Sequence, residues 1–257
     1  MTEPNKLEIH RVMHEIKRRR LEVLRVKDIT PRMRRITVGG PELTGFVSLG
    51  SDDHIKLLFP QNAAEVAALE SPTFSIKDAE DLAMRDYTPR RIDLANNELD
   101  IDFVLHGDGP ASTWADQVQV GQRLYIGGPR GSLIVPDIFD SYLLIGDETA
   151  LPAIGRRLDE LPAGRMVLAV VEIANAAEQQ TLNSAADVEV IWVIRGQDDL
   201  VETVRNLTLP SGSLYSFVAT ESKLSRQVRR VLLDQHKVNE SFLKAVGYWR
   251  ADGSDEA

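Results

Sequence analysis

The chain has 257 residues, a net charge of −9, 43% hydrophobic and 27% charged residues, the balance of a globular protein built as one large domain or two modest ones. It has no cysteine, which excludes a disulfide frame, a thiol nucleophile, an iron–sulfur cluster and a cysteine-type zinc site. The acidic balance argues against non-specific nucleic-acid binding, and no apolar run approaches the ~18 residues of a membrane span.

Residues 1–16 read as a loosely held arm with weak helical spacing (Ile9, Val12, Met13, Ile16) and without the apolar stretch of a secretion signal, so a cytoplasmic location is expected. His10 and His14 have the i, i+4 spacing of a metal pair, but no third ligand accompanies them; a surface pair and no metal site are expected. Lys17-Arg18-Arg19-Arg20 reads as a solvated lead into the first strand. From Leu21 the apolar residues alternate, and strands are expected at 21–26, 33–38, 54–59, 85–93, 98–106 and 123–127, broken by turns such as Gly39-Gly40-Pro41. Six or so short strands indicate a small antiparallel barrel. Residues 61–84 are a polar, alanine-rich insertion, expected as a surface helix and loop.

After Pro136 the rhythm changes. Apolar, branched runs at 142–145, 166–173, 188–194 and 214–219 alternate with helical spacing at 149–161, 176–183, 198–207 and 222–236. Strands alternating with helices imply a parallel sheet with both faces covered. The domain boundary is expected near residue 139, giving domains 1–139 and 140–257.

Two stretches carry the chemistry. Arg85-Asp86-Tyr87-Thr88 puts a guanidinium and an aromatic ring on one face of an extended segment, with Thr88 on the other. A charged fork beside a flat ring suits a ligand with both a diphosphate and a planar heterocycle, as in a flavin dinucleotide. About twenty residues later comes His106-Gly107-Asp108-Gly109-Pro110-Ala111-Ser112-Thr113-Trp114. Its glycines allow close backbone approach, Pro110 suits a first helical turn, and the free N–H groups of a helix over 111–118 would face the diphosphate. Farther on, Gly146-Asp147-Glu148-Thr149-Ala150-Leu151-Pro152 follows the first strand of the second domain, where an open parallel sheet binds nucleotides. There is no Gly-x-Gly-x-x-Gly; a plain helix start capped by Asp147 is the competing reading.

Together with Asp53-His54-Ile55-Lys56-Leu57, Gly128-Pro129-Arg130-Gly131 and Tyr248-Trp249-Arg250, these motifs resemble the siderophore-interacting protein family. Its members are flavin-dependent ferric-siderophore reductases related to ferredoxin–NADP reductases, and the series spans roughly residues 20 to 253. The resemblance implies an antiparallel FAD-binding β-barrel followed by a parallel-sheet nucleotide-binding domain. It implies FAD and NADPH as cofactors and a ferric siderophore as substrate, with a ferredoxin as an alternative electron donor.

The cofactor contacts it implies are Arg85, Asp86, Tyr87 and Thr88, then Asp102 and His106, then Gly109, Ala111, Ser112 and Thr113. In the second domain they are Glu148, Thr149 and Trp249, the tryptophan lying against the flavin or filling a groove. Lys56, Arg130 and Arg250 form the implied basic trio for an anionic iron chelate. No protein nucleophile or base is needed, because the cofactor carries the redox chemistry. Between the nucleotides, Glu172 would favour a free ribose hydroxyl, while Arg195, Lys223 or Arg226 would hold a 2′-phosphate; the resemblance favours NADPH. Two departures stand out: Thr220-Glu221-Ser222-Lys223 replaces a glycine-bearing turn, and Arg250-Ala251-Asp252-Gly253 lacks a second basic residue. A general NAD(P)H:flavin or electron-carrier reductase and a non-catalytic siderophore- or flavin-binding module are the alternative readings.

Overall fold

The computed structural model describes residues 8–75, 82–107 and 109–251. The chain forms two compact units, Glu8–Val135 and a second beginning at Pro136.

In the first unit, seven strands form one antiparallel sheet: β2 (Arg18–Thr30), β3 (Met33–Gly39), β4 (Ile55–Phe59), β5 (Ala83–Tyr87), β6 (Arg91–Asp93), β7 (Glu98–Val104) and β8 (Arg123–Gly127). Their order is β5-β4-β8-β2-β3-β7-β6, so the sheet curls as a half-barrel whose two edge strands adjoin Thr88-Pro89-Arg90 in sequence. Alternation sets which side chains face the core. Leu99, Ile101 and Phe103 of β7 point into one core with Leu21, Val23, Ile36, Val38, Leu57 and Ile126. Each such side chain contributes ~1.5–3 kcal/mol on burial. The opposite face of β7 carries buried Asp100 and Asp102, matched by charge: Thr37 donates to Asp100 (2.7 Å) and Arg35 forks onto Asp102 (2.6 and 2.8 Å). Helix α1 (Ala63–Glu70) lies in the 61–84 insertion, and its cap Asn62 accepts from the Glu65 N–H at 3.0 Å. The loop expected there falls partly on residues outside those described.

Several expectations change here. The arm is not helical where described: β1 (His10–Met13) pairs with β9 (Gly131–Ile134). His10 and His14 therefore do not share a helix face; His14 Nε2 meets Ser132 Oγ at 2.7 Å instead. The described residues hold no cluster of potential metal ligands. Nor is the basic run wholly solvated. Arg19 is buried, its guanidinium 5.2 Å from the Phe46 ring, and burial lowers its pKa. The strand expected over 85–93 breaks into β5 and β6 because Pro89 has no N–H to give to a ladder.

The second unit is a five-stranded parallel sheet: β10 (Ser141–Asp147), β11 (Met166–Ile173), β12 (Asp187–Ile194), β13 (Leu214–Glu221) and β14 (Leu243–Trp249). The order β12-β11-β10-β13-β14 puts β10 in the centre, buried at all seven positions. That explains its unbroken apolar run. Helices α3 (Leu151–Glu160), α4 (Leu200–Arg205) and α5 (Ser222–Asp234) connect the strands. The helix expected at 176–183 shrinks to one turn of 3₁₀, Ala176–Glu178. The strand order reverses at β10, so the nucleotide crevice of such a sheet lies at its carboxyl end, Gly146-Asp147. Gly146 is required for packing: a Cβ there would lie 2.5 Å from Ala150 Cβ and 3.2 Å from the Ala219 carbonyl oxygen. No helix among the described residues is long and apolar enough to cross a membrane.

Candidate functional site: a glycine turn, an aromatic stack and a strand-end carboxylate

In the first unit the motif after β7 opens helix α2 (Pro110–Gln117). Gly107 and Gly109 have φ of +86° and +88°, values that a side chain disfavours. A Cβ at Gly109 would approach nothing closer than His106 Cε1, at 3.8 Å, so the backbone is open on that side. Gly109 is the N-cap and Pro110 the first helical residue, with no side-chain cap among the described residues. Among the described residues, the N–H groups of Ala111 and Ser112 thus belong to a helix start without a side-chain acceptor, the arrangement that accepts an anion. Ser112 is buried and its Oγ accepts from the His106 N–H at 3.0 Å, which fixes the turn. His106 and Thr113 are exposed on either side. His106 lies beyond β7, which ends at Val104, rather than ending the strand as expected.

A run of rings ties α2 to the Arg85–Thr88 segment. Trp114 of α2 packs on Phe59 (centroids 5.8 Å apart) and Phe103 (5.5 Å), and Phe103 packs on Tyr87 at 4.5 Å, tilted 35°. Phe103 and Phe59 were not read as part of the site; their only signal was an aromatic at the inward register of a strand. Tyr87 stays half-buried, and burial pushes its phenol well above the ordinary tyrosine value, with Arg85 pulling weakly the other way. The ring is therefore a neutral plate. Arg85 is half-buried and its Nη1 donates to the Met84 carbonyl at 2.7 Å; Thr88 is buried. Open backbone at the glycine turn, a helix start uncapped by any described side chain, a guanidinium and a neutral ring within one unit fit the diphosphate and heterocycle of FAD.

Four other residues, Asp86, Lys56, Asp102 and Asp53, are engaged by partners within the protein. Asp86 points away from the Tyr87 side and binds Lys56 Nζ at 3.0 Å, so a residue read as cofactor-facing pairs with one read as substrate-facing. Asp102 is taken by Arg35, and any cofactor effect of Asp102 runs through that pair. Lys56 lies opposite Gly127 in the register of β4 and β8, at the same end of the sheet as exposed Arg130. Asp53, in the same motif as Lys56, is structural: its Oδ2 accepts from Ser48, Ser132 and the Leu49 and Gly50 N–H groups.

The second unit holds Glu148, Thr149, Trp249 and Arg250. Exposed Arg250 follows Trp249, which ends β14. At the end of β10, buried Asp147 accepts from the Thr149 N–H (2.9 Å) and Oγ1–H (2.5 Å) on one oxygen and from Trp249 Nε1–H (2.8 Å) on the other. It does not cap α3, whose N-cap is Ala150. Burial pushes the Asp147 carboxyl up, and the hydrogen bonds from Thr149 and Trp249 pull it down. Asp147 is not among the expected site residues, although it holds two of them, Thr149 and Trp249; its signal in the sequence is a polar residue closing an apolar central strand. Glu148 is also buried, and Arg195 Nη2 holds it at 2.7 Å while Nε of the same arginine holds Glu172 at 2.9 Å. Burial alone would lower the Arg195 pKa, but the hydrogen bond and charge of Glu148, with Glu172, raise it above the ordinary arginine value. The rival candidates for the ribose, Glu172 and Arg195, are thus one ion-paired group. Exposed Lys223 lies at the start of α5. A strand-order reversal with a threonine and charged groups at the carboxyl end of the central strand fits a pyridine nucleotide.

Residues 22–133 match the model of the siderophore-interacting FAD-binding domain and residues 139–252 that of the siderophore-interacting protein. An NADPH-dependent ferric-chelate reductase of Escherichia coli is 33% identical, with 94% of this chain and 96% of the relative covered. A ferric vibriobactin reductase of Vibrio cholerae is 28% identical over 93% and 92%. The crystal structure of a siderophore utilization protein from T. fusca superposes with a TM-score of 0.87 at 35% identity, covering 97% of this chain and 99% of that one. With the half-barrel, the 3-2-1-4-5 parallel sheet and both motif sets in place, the chain belongs to the siderophore-interacting protein family.

Proposed function

We propose that this protein reduces ferric siderophores with electrons from NADPH, through FAD, and so releases ferrous iron for the cell's use. The reading rests on one observation above others: the open glycine turn at Gly107–Gly109 leads into the start of α2, which no described side chain caps and which is packed through Trp114 and Phe103 against Tyr87. Bound FAD would supply the chemistry the chain lacks, hydride acceptance and single-electron donation.

The chain supplies binding and electrostatics. The N–H groups of Ala111 and Ser112, with Arg85, would hold the diphosphate, and Tyr87 and Thr88 would line the ring system. Asp86, Asp102, His106, Gly109 and Thr113 shape that pocket directly or through their partners. In the second unit Glu148, Thr149 and Trp249 serve the nicotinamide end. Lys56, Arg130 and Arg250 offer positive charge to an anionic chelate despite the net charge of −9, because at physiological salt charge is screened beyond ~8 Å. Hard oxygen donors hold ferric iron far better than ferrous, so reduction itself loosens the metal. We assign residues 1–139 to the flavin, residues 140–257 to the nucleotide, and the activity to the cytoplasm.

The test is anaerobic: purified protein, NADPH, a ferric siderophore and a ferrous trap. Bleaching of bound flavin with capture of Fe²⁺ is expected. Retained flavin colour and no trapped Fe²⁺ would end the proposal, and a preference for quinones over iron chelates would replace it with a general reductase. Replacing NADPH by reduced ferredoxin in the same assay decides between the two donors, and fractionation of cells expressing a tagged chain tests the location.

A further inference from the structure

The Asp147 carboxylate stands out because it is buried and yet serves a partly exposed ring. It is 1% exposed, whereas Trp249, 102 residues later in the chain and two strands away in the sheet, is 39% exposed. Burying a carboxylate carries a desolvation cost, and three hydrogen bonds from two residues offset part of it here. The Trp249 backbone is pinned as well: its carbonyl accepts from Ser222 Oγ at 3.2 Å. An exposed indole would ordinarily rotate. This one is held at both ends, with its outer surface free.

Thr149 is held in a complementary way. Its hydroxyl proton is given to Asp147, so the lone pairs of Oγ1 are left to accept from a ligand N–H. Thr149 follows β10 at the reversal of strand order, where a nucleotide binds.

Building on the NADPH reading above, we infer that Asp147 is a positioning residue, fixing the plane of the Trp249 indole and the acceptor direction of Thr149 so that a nicotinamide carboxamide meets both in one orientation. Asp147 touches neither substrate nor cofactor in this role; it acts through Trp249 and Thr149.

The substitution Asp147→Asn isolates the claim. The amide oxygen still accepts from Thr149, but its NH₂ then faces the Trp249 N–H, donor against donor. The chain has three tryptophans, so a ¹⁵N spectrum of the full-length protein, with and without added FAD, shows three indole N–H signals, and W249F identifies one by its loss. We expect that signal to exchange with solvent at least about tenfold faster in D147N. With FAD loaded and NADPH as donor, we expect kcat to fall about tenfold in both D147N and W249F, with KM within about twofold, and the double variant to be no slower than W249F alone. An unchanged exchange rate, single losses that multiply in the double variant, or parental kcat in W249F would overturn the inference. Should D147N not fold, W249F decides alone: parental kcat refutes, and a roughly tenfold loss at unchanged Tm supports. A parent without ferric-chelate activity would instead refute the proposed function, while the indole signal still reports on Asp147.

Discussion

Lys56 and Asp86 face each other across β4 and β5, Nζ to Oδ1 at 3.0 Å, each side chain about half exposed (46% and 48%). On the proposed function, the pair consumes charge that an anionic iron chelate would use, and being exposed it is worth less than about 1 kcal/mol to stability. Asp86→Asn is therefore expected to leave Tm within a degree or two, and to lower KM for anionic ferric chelates about two- to threefold at low salt, with the gain vanishing near 0.5 M salt, roughly. Steady-state rates across a salt series check this. A KM that rises at every ionic strength would instead assign Asp86 a direct role with the cofactor.

Arg195 is clamped by Glu148 and Glu172, so a 2′-phosphate approaching it must compete with two carboxylates. Neutralising the more exposed partner, Glu172→Gln, is expected to raise the NADPH-to-NADH ratio of kcat/KM about three- to tenfold. Arg195→Leu should lower that ratio and also cost about 3 kcal/mol, because it leaves buried Glu148 without its partner. Nucleotide-specific kinetics and denaturant melts separate the two effects. An unchanged ratio in both variants would move the 2′-phosphate site elsewhere, with Lys223 the next group to test.

Arg35 and Asp102 form a bidentate pair with only 4% of the Asp102 side chain exposed. Asp102→Asn should cost about 1.5–3 kcal/mol, the worth of a charge-assisted hydrogen bond, because the Arg35 it leaves behind is partly exposed; it is read as a shift of the urea midpoint. If the residue acts on the cofactor only through Arg35, FAD affinity should change less than about threefold at a temperature where the variant is folded. Flavin titration by fluorescence quenching measures it, and a tenfold or larger loss of affinity would make Asp102 a direct contact.

The Asp137 carboxyl lies below the usual aspartate range, chiefly through the hydrogen bond from Arg165 (2.7 Å), with a further one from Tyr142. Because the folded-state pKa is the depressed one, the unfolded chain binds more protons as the medium is acidified. The stability from this group is complete above the unfolded value near 4 and is lost as pH falls through the lower folded value. The pair is about one-third exposed, so the parent should exceed Asp137→Asn by no more than about 1 kcal/mol at pH 7. Melts from pH 7 to pH 2 should show the two converging only below about pH 4; convergence already at pH 6 would contradict the assignment.

Much of this protein could be read in one dimension. The runs at 166–173, 188–194 and 214–219 appear as β11, β12 and β13 with near-identical bounds, because branched apolar stretches bounded by turns have few other ways to be buried. The glycine turn before Pro110 and the start of α2 were equally legible, since positive φ and a fixed proline are local demands. Strands β1 and β14 were not, the first being only four residues long and the second partly buried at nearly every position; β1 exists because β9, more than a hundred residues away, offers it a ladder. The partners of the charged groups were hidden for the same reason. Which cation meets Asp86, Asp102 or Glu148, and which ring meets Asp147, depends on the register between strands distant in sequence. Local periodicity tells only which face a side chain takes; what waits on that face is decided when the chain closes.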